Sequence, residues 1–165
     1  MTGIGEQAFN GPLETGIRAT AILTAAYPRS FDLQRLVAFD YLISRTGQFD
    51  NAPNDLHPPT PINAPPTEVR RRIVQDALNL MLSRKLVERQ PTVRGIEYVA
   101  GEAAEFLMSA LRTPYADGLR ERAAWLVDEF GELDAERFDA RMRSLFERWA
   151  EEFEESRSSE DGAAT

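Results

Sequence analysis

The chain has no cysteine and only one histidine, His57, in 165 residues. The first absence excludes disulfides, thiol catalysis and thiolate-zinc centres together. The second leaves no partner imidazole for a His-rich metal set. No apolar run approaches the ~18 residues that a membrane-spanning helix needs. Nor do the first residues follow the basic, apolar and small-residue succession of a secretory signal. A cytoplasmic protein with no membrane partner is expected. Enzyme signatures are missing too: there is no Gly-Lys-Ser/Thr phosphate loop, no Gly-x-Ser-x-Gly elbow and no His-Glu-x-x-His helix. We therefore expect no catalytic centre, no cofactor and no small-molecule substrate. Basic charge is also scarce, 19 Lys and Arg against 27 Asp and Glu, a net of -8 that argues against a generic polyanion binder.

That average hides two unlike parts. Residues 1–100 carry 11 basic and 10 acidic side chains, whereas residues 101–165 carry 8 and 17. Between Arg70 and Arg94, seven basic residues face only Asp76 and Glu88. Asymmetry of this kind marks a chain with two different surfaces. Six of the ten prolines fall between Pro53 and Pro66, so residues 51–66 read as a long irregular connection without helix or central strand.

Around that connection the pattern is helical. Gly11-Pro12-Leu13-Glu14 reads as a helix start, and Leu13, Ile17, Ala21 and Ala25 recur at four-residue spacing up to Tyr27-Pro28. A second helix is predicted from Asp32 to Arg45, apolar over much of its circumference. A third, capped by Thr67, runs from Glu68 to about Arg84, with Val69, Ile73, Ala77, Leu80 and Met81 as its inner stripe. Leu86–Gln90 and Ile96–Val99 flank a Gly-containing break and read as a hairpin. Helix, helix, loop, helix, hairpin is the order of a winged helix-turn-helix, here with a lengthened loop. The predicted fold is thus mainly α: a winged-helix domain over residues 1–100, then a helical extension over 101–155. Helices are expected over Gly101–Arg112 and Tyr115–Phe130, with a last one capped by Asp134. The Ser-, Gly- and acid-rich residues 156–165 read as a disordered tail.

Four groups of residues are candidates for function. Arg70, Arg71, Arg72, Arg84, Lys85, Arg89 and Arg94 lie where a winged helix presents its recognition helix and hairpin, and guanidinium groups there suit phosphates or guanine edges. Against this, successive arginines turn by about 100° and cannot all face one groove. Arg84 and Lys85 equally suit a helix C-terminus, whose dipole favours cations. A solvated face or a protein contact therefore competes with DNA. His57 titrates near neutrality and suits a general base or a pH switch, but a structural hydrogen bond bracing its loop accounts for it as well. The run Glu151-Glu152-Phe153-Glu154-Glu155 spreads its carboxylates around a helix instead of converging on one cation. Phe138, Met142, Leu145, Trp149 and Phe153 form an apolar stripe with Phe146 beside it, which suits core packing or an aromatic-anchored protein interface.

Several stretches together carry a family resemblance. They are Asn10-Gly11-Pro12-Leu13-Glu14-Thr15-Gly16-Ile17-Arg18, Asp32-Leu33-Gln34-Arg35-Leu36-Val37 with Asp40-Tyr41, and Leu56-His57-Pro58-Pro59-Thr60-Pro61. Val69-Arg70-Arg71 and Thr113-Pro114-Tyr115-Ala116 with Leu119-Arg120-Glu121-Arg122-Ala123 complete the set. In order and spacing they resemble the middle-component 2 family of bacterial ABC-three-component systems, over residues 9 to 131. The resemblance implies a small non-catalytic winged-helix subunit. It would act between an ABC/SMC-like ATPase and a C-terminal component, in conflict with phages or plasmids, with DNA as a further candidate ligand. It implies no catalytic residue. Asn10, Pro12, Glu14, His57, Pro58 and Pro59 match the pattern, and the role implied for them is shaping the fold and its partner surface. Partner contacts are accordingly expected at His57, Pro58, Pro59, Phe146, Trp149 and Phe153. A free-standing DNA-binding regulator is the alternative function.

Overall fold

Proline at the first helical position and a short-side-chain interior let the first helix form and then disappear into the core. In the computed structural model, which describes residues 11–49, 52–56 and 68–163, α1 spans Pro12–Ala26. Its small residues Gly16, Ala19, Thr20 and Ala21 are buried beside Ile22 and Leu23, so neighbouring helices approach it closely. The simple four-residue stripe expected there is corrected: Leu13 is exposed, as is Ala25, and burial runs almost around the helix from Thr15 onward. A helix packed on several sides has no single inner face, which is why the stripe misplaces it.

α2 (Leu33–Ile43) begins where the Asp32 carboxylate accepts the Arg35 amide at 2.8 Å. A short 3-10 turn, Thr46–Gln48, follows it. α3 (Glu68–Ser83) buries Val74, Ala77, Leu78 and Met81. Val69, expected inside, is exposed, and Ile73 and Leu80 are half-buried. The inner face is thus turned by roughly one residue from the expected stripe. The predicted Thr67 cap lies outside the described residues.

After α3 the chain turns through Lys85, the one non-glycine with positive φ (61°) among the described residues. The Leu86 amide donates to the Met81 carbonyl and the Lys85 amide to the Leu82 carbonyl, a Schellman pair that closes the helix. β1 (Val87–Thr92) and β2 (Gly95–Ala100) then form the expected hairpin, antiparallel from Val87↔Ala100 to Thr92↔Gly95. One further residue joins it. Phe31, in the α1–α2 link, bridges Tyr98 through reciprocal backbone bonds of 3.0 and 2.7 Å.

α4 (Ala104–Ala110) is short, and α5 (Pro114–Phe130) starts with Thr113 accepting the Ala116 amide. Around α1 lies one core, to which α2 gives Phe39 and Leu42, α3 gives Leu78 and Met81, and α5 gives Leu119, Leu126 and Phe130. Phe49 packs its ring on Trp125 and Phe130 of α5, with centroids 5.2 and 5.7 Å away. The start of the long connection is tied down beside it: the Asn54 carbonyl accepts from Thr46 Oγ1 and Arg122 Nε, at 3.1 and 2.7 Å.

These elements form one compact unit, ending at Gly131; residues from Glu132 onward belong to a second. The second contains α6 (Ala135–Ala163), begun by Asp134 accepting the Arg137 amide at 2.8 Å. Phe138, Met142, Leu145 and Trp149 recur along one face of it. The tail expected to be disordered over 156–165 is instead helical as far as Ala163. Local bonds help to hold it: Arg157 pairs with Glu154 at 3.7 Å, and Ser159 Oγ donates to the Glu155 carbonyl. Composition does not distinguish a disordered coil from a solvated helix.

Candidate functional site

Most of the ionisable chemistry inside the first unit gathers at one place, and it gathers there to be sealed. Asp40, on the inner side of α2, is 4 % exposed. One carboxylate oxygen accepts from Arg18 Nε of α1 at 2.7 Å and the other from Arg70 Nη1 of α3 at 2.8 Å. Arg18 is itself 3 % exposed and also donates to Thr15 Oγ1 at 3.0 Å. Three helices thus meet on one carboxylate. Burial by itself would lower the proton affinity of the Arg18 guanidinium. The charge and hydrogen bond of Asp40, helped by the Tyr115 hydroxyl, outweigh it and hold the group above its ordinary pKa.

Tyr41 and Arg45 extend this centre along α2. The Arg45 guanidinium lies 3.9 Å from the centre of the Tyr41 ring, and Arg70 lies over the same ring at 5.7 Å. Burial raises the Tyr41 phenol above its usual value, although the Arg45 and Arg70 charges oppose it. Burial likewise raises Tyr115, against the pull of Arg18. Arg45 is lowered, chiefly by burial. Such a network fixes helix positions and has no exposed nucleophile and base in reach of each other.

Four of the stretches singled out in the sequence contribute to this centre: Thr15 and Arg18, Asp40 and Tyr41, Arg70, and Tyr115. Sequence reasoning missed it. Arg18 and Asp40 each look like an ordinary polar position in an amphipathic helix, and only the buried surroundings of both reveal their pairing. The available signal was a charged residue in the middle of an otherwise apolar run, as Asp40 stands between Phe39 and Tyr41.

The expected basic cluster is consequently divided. Arg70 turns inward to Asp40. Arg71, Arg72, Arg84, Lys85, Arg89 and Arg94 are exposed. Arg71 and Arg72 border an open groove of about 640 Å³ at the start of α3, together with Leu33, Val69 and the acids Glu68 and Asp76. Arg89 Nη2 donates to Asn79 Oδ1 at 3.4 Å, while Arg94 sits in the hairpin turn with its amide on Thr92 Oγ1. Arg84 and Lys85 lie at the Schellman turn that ends α3. His57, Pro58 and Pro59 lie outside the described residues. Phe146 and Trp149 neighbour each other on α6, ring centroids 5.9 Å apart, and the Phe153 side chain is outside the description.

Among the described residues, no group of three or more His, Asp or Glu side chains is placed to hold a metal ion. Among them, too, no helix is long and apolar enough to cross a membrane. No curated protein and no solved structure matches the chain. A family model does, over residues 8–152, extending into α6 beyond the stretches recognised in the sequence. The chain belongs to the family of ABC-three component (ABC-3C) system Middle Component 2.

Proposed function

We infer that this subunit is a non-catalytic adaptor, cytoplasmic, that couples an ABC/SMC-like ATPase to the C-terminal component of its system in defence against phages or plasmids. The observation that carries the reading is the sealed Arg18–Asp40–Arg70 centre. The chain spends its buried charges on locking helices together, as a rigid docking body requires, and keeps its open groove mixed in charge. We read the first unit as a winged helix. The Phe31–Tyr98 bridge supports this, since it supplies the strand residue between the first two helices that the helix, strand, helix, helix, hairpin order calls for. His57, Pro58 and Pro59 in the long connection, with Phe146, Trp149 and Phe153 on α6, are the proposed partner contacts.

Co-expression with an ABC/SMC-like ATPase of an ABC-three component system tests the adaptor role. Stoichiometric co-purification is expected, and its loss on truncation after Phe130, with the remaining unit still folded, assigns the contact to α6. A chain that stays alone beside the ATPase refutes the reading. The second function, a free-standing DNA-binding regulator, is favoured by the exposed Arg71, Arg72, Arg89 and Arg94. Tight binding of a single operator without any ATPase contact would distinguish it.

A further inference from the structure

The outward side of α3 carries a line of residues of which the basic cluster includes only Arg72. Arg72, Gln75 and Asn79 follow at steps of three and four, so they stack along one face. Val74, Ala77, Leu78 and Met81 are buried on the other side. Arg72 and Asn79 are exposed and Gln75 half-buried. Gln75 Nε2 donates to Asn79 Oδ1 at 3.3 Å and to the Tyr98 hydroxyl at 3.4 Å, and Arg89 donates to the same Asn79 oxygen. These bonds run from α3 across to both strands of the hairpin. They orient the two amides, yet all three are long and two of them are exposed, so a better partner displaces them at little cost.

We propose that this face reads base edges of duplex DNA in the major groove, with Arg72, Gln75 and Asn79 as the reading residues and Arg89 and Arg94 as backbone anchors. Arginine pairs bidentately with guanine, and glutamine and asparagine with adenine; these three types are the main vocabulary of direct readout. The proposal rests on the winged-helix reading, which puts α3 in the groove and the hairpin beside it. A protein-docking face would carry aromatic or apolar residues at its centre. Along this line the side chains are amide and guanidinium, while the apolar Leu33 and Val69 line the groove at the start of α3 beside Arg72 and Gln75. Glu68 and Asp76 border the same groove and repel phosphate. Recognition is therefore weighted toward bases and away from bulk charge, in keeping with the acidic chain.

The test is selection by the full-length chain from a duplex library with a randomised core, at about 50 mM salt. The expected result is an enriched sequence, bound at least about tenfold more tightly than a scrambled duplex. Gln75→Ala and Asn79→Ala each weaken binding of the enriched duplex roughly five- to a hundredfold and leave the scrambled one unchanged. Arg94→Ala weakens both alike and makes the log–log salt slope shallower by about 0.9. No enrichment, or Gln75→Ala and Asn79→Ala variants that bind like the wild type, overturns the proposal. If those two variants instead lose the co-purifying ATPase while DNA goes unbound, the face is a protein contact: the proposal falls and the adaptor reading stands. Failure of the adaptor reading shows separately, in the wild-type co-purification.

Discussion

Replacing Asp40 with alanine leaves the Arg18 guanidinium 3 % exposed and without the carboxylate that balances it. Breaking a buried pair by removing one partner costs about 3–5 kcal/mol, because the remaining charge stays desolvated. Arg70→Met removes the other bond to Asp40, but the Arg70 side chain is 26 % exposed and Arg18 keeps its partner. About 1–2 kcal/mol is expected for it, the value of a hydrogen bond to a charged group, reduced by solvent. Domains of this kind are stable by about 5–15 kcal/mol, so Asp40→Ala removes about a fifth of the total at the least. Urea titration followed by far-UV circular dichroism reads this directly. With a slope near ~2 kcal/mol/M, the midpoint should fall by about 1.5–2.5 M at unchanged slope. Arg18→Met combined with Asp40→Leu should cost less than Asp40→Ala alone, since no buried charge is then left without a counterion at the Arg18 position. The reasoning is refuted if Asp40→Ala loses less than about 1 kcal/mol, or if the double variant is the worse of the two.

The buried Tyr41 phenol and the half-buried Tyr115 phenol give a pH dependence. Tyr41 and Tyr115 have raised pKa values in the folded chain, so their contribution is complete below the unfolded value of about 10 and is lost as pH rises above it. Urea midpoints should therefore drop above pH 10, and a Tyr41→Phe/Tyr115→Phe variant should show a smaller drop. Lys85→Gly should stabilise by about 1 kcal/mol, since φ of 61° costs a side-chain-bearing residue but not glycine; thermal denaturation checks it. Gly101→Ala should cost about 1–3 kcal/mol in the same assay. Its new methyl group would meet the Lys85 carbonyl and the Leu86 backbone, 3.0 Å from the Leu86 carbonyl carbon, and backbone cannot step aside.

Local rules carried the reading of the helices and the hairpin because their signals are local. Pro12, Asp32, Thr113–Pro114 and Asp134 act within one turn of where they stand, and each begins a helix. What α1 buries depends on α3 and α5, far along the chain, and a four-residue stripe cannot report on several neighbours. The same limit hid the charged centre. Arg18, Asp40 and Arg70 are separated by 22 and 30 residues, and nothing nearby in sequence says that one carboxylate serves two guanidiniums. Arg70 therefore looked like its exposed neighbours Arg71 and Arg72. Gln75 and Asn79 escaped attention for another reason: uncharged amides on an exposed helix are common, and only their placement beside the hairpin sets them apart.

The Phe31–Tyr98 bridge makes the hairpin a cantilever. Its root is clamped by two backbone bonds at Tyr98, and its free arm runs three residues to Gly95, about 10 Å at strand spacing. A load applied at Val93 or Arg94 is therefore delivered to Phe31. From there it passes to Asp32, the cap of α2, beside the path that the Gln75–Tyr98 and Arg89–Asn79 bonds open into α3. Whatever the hairpin tip presses against, the thrust arrives at the first turn of the helix that carries Asp40.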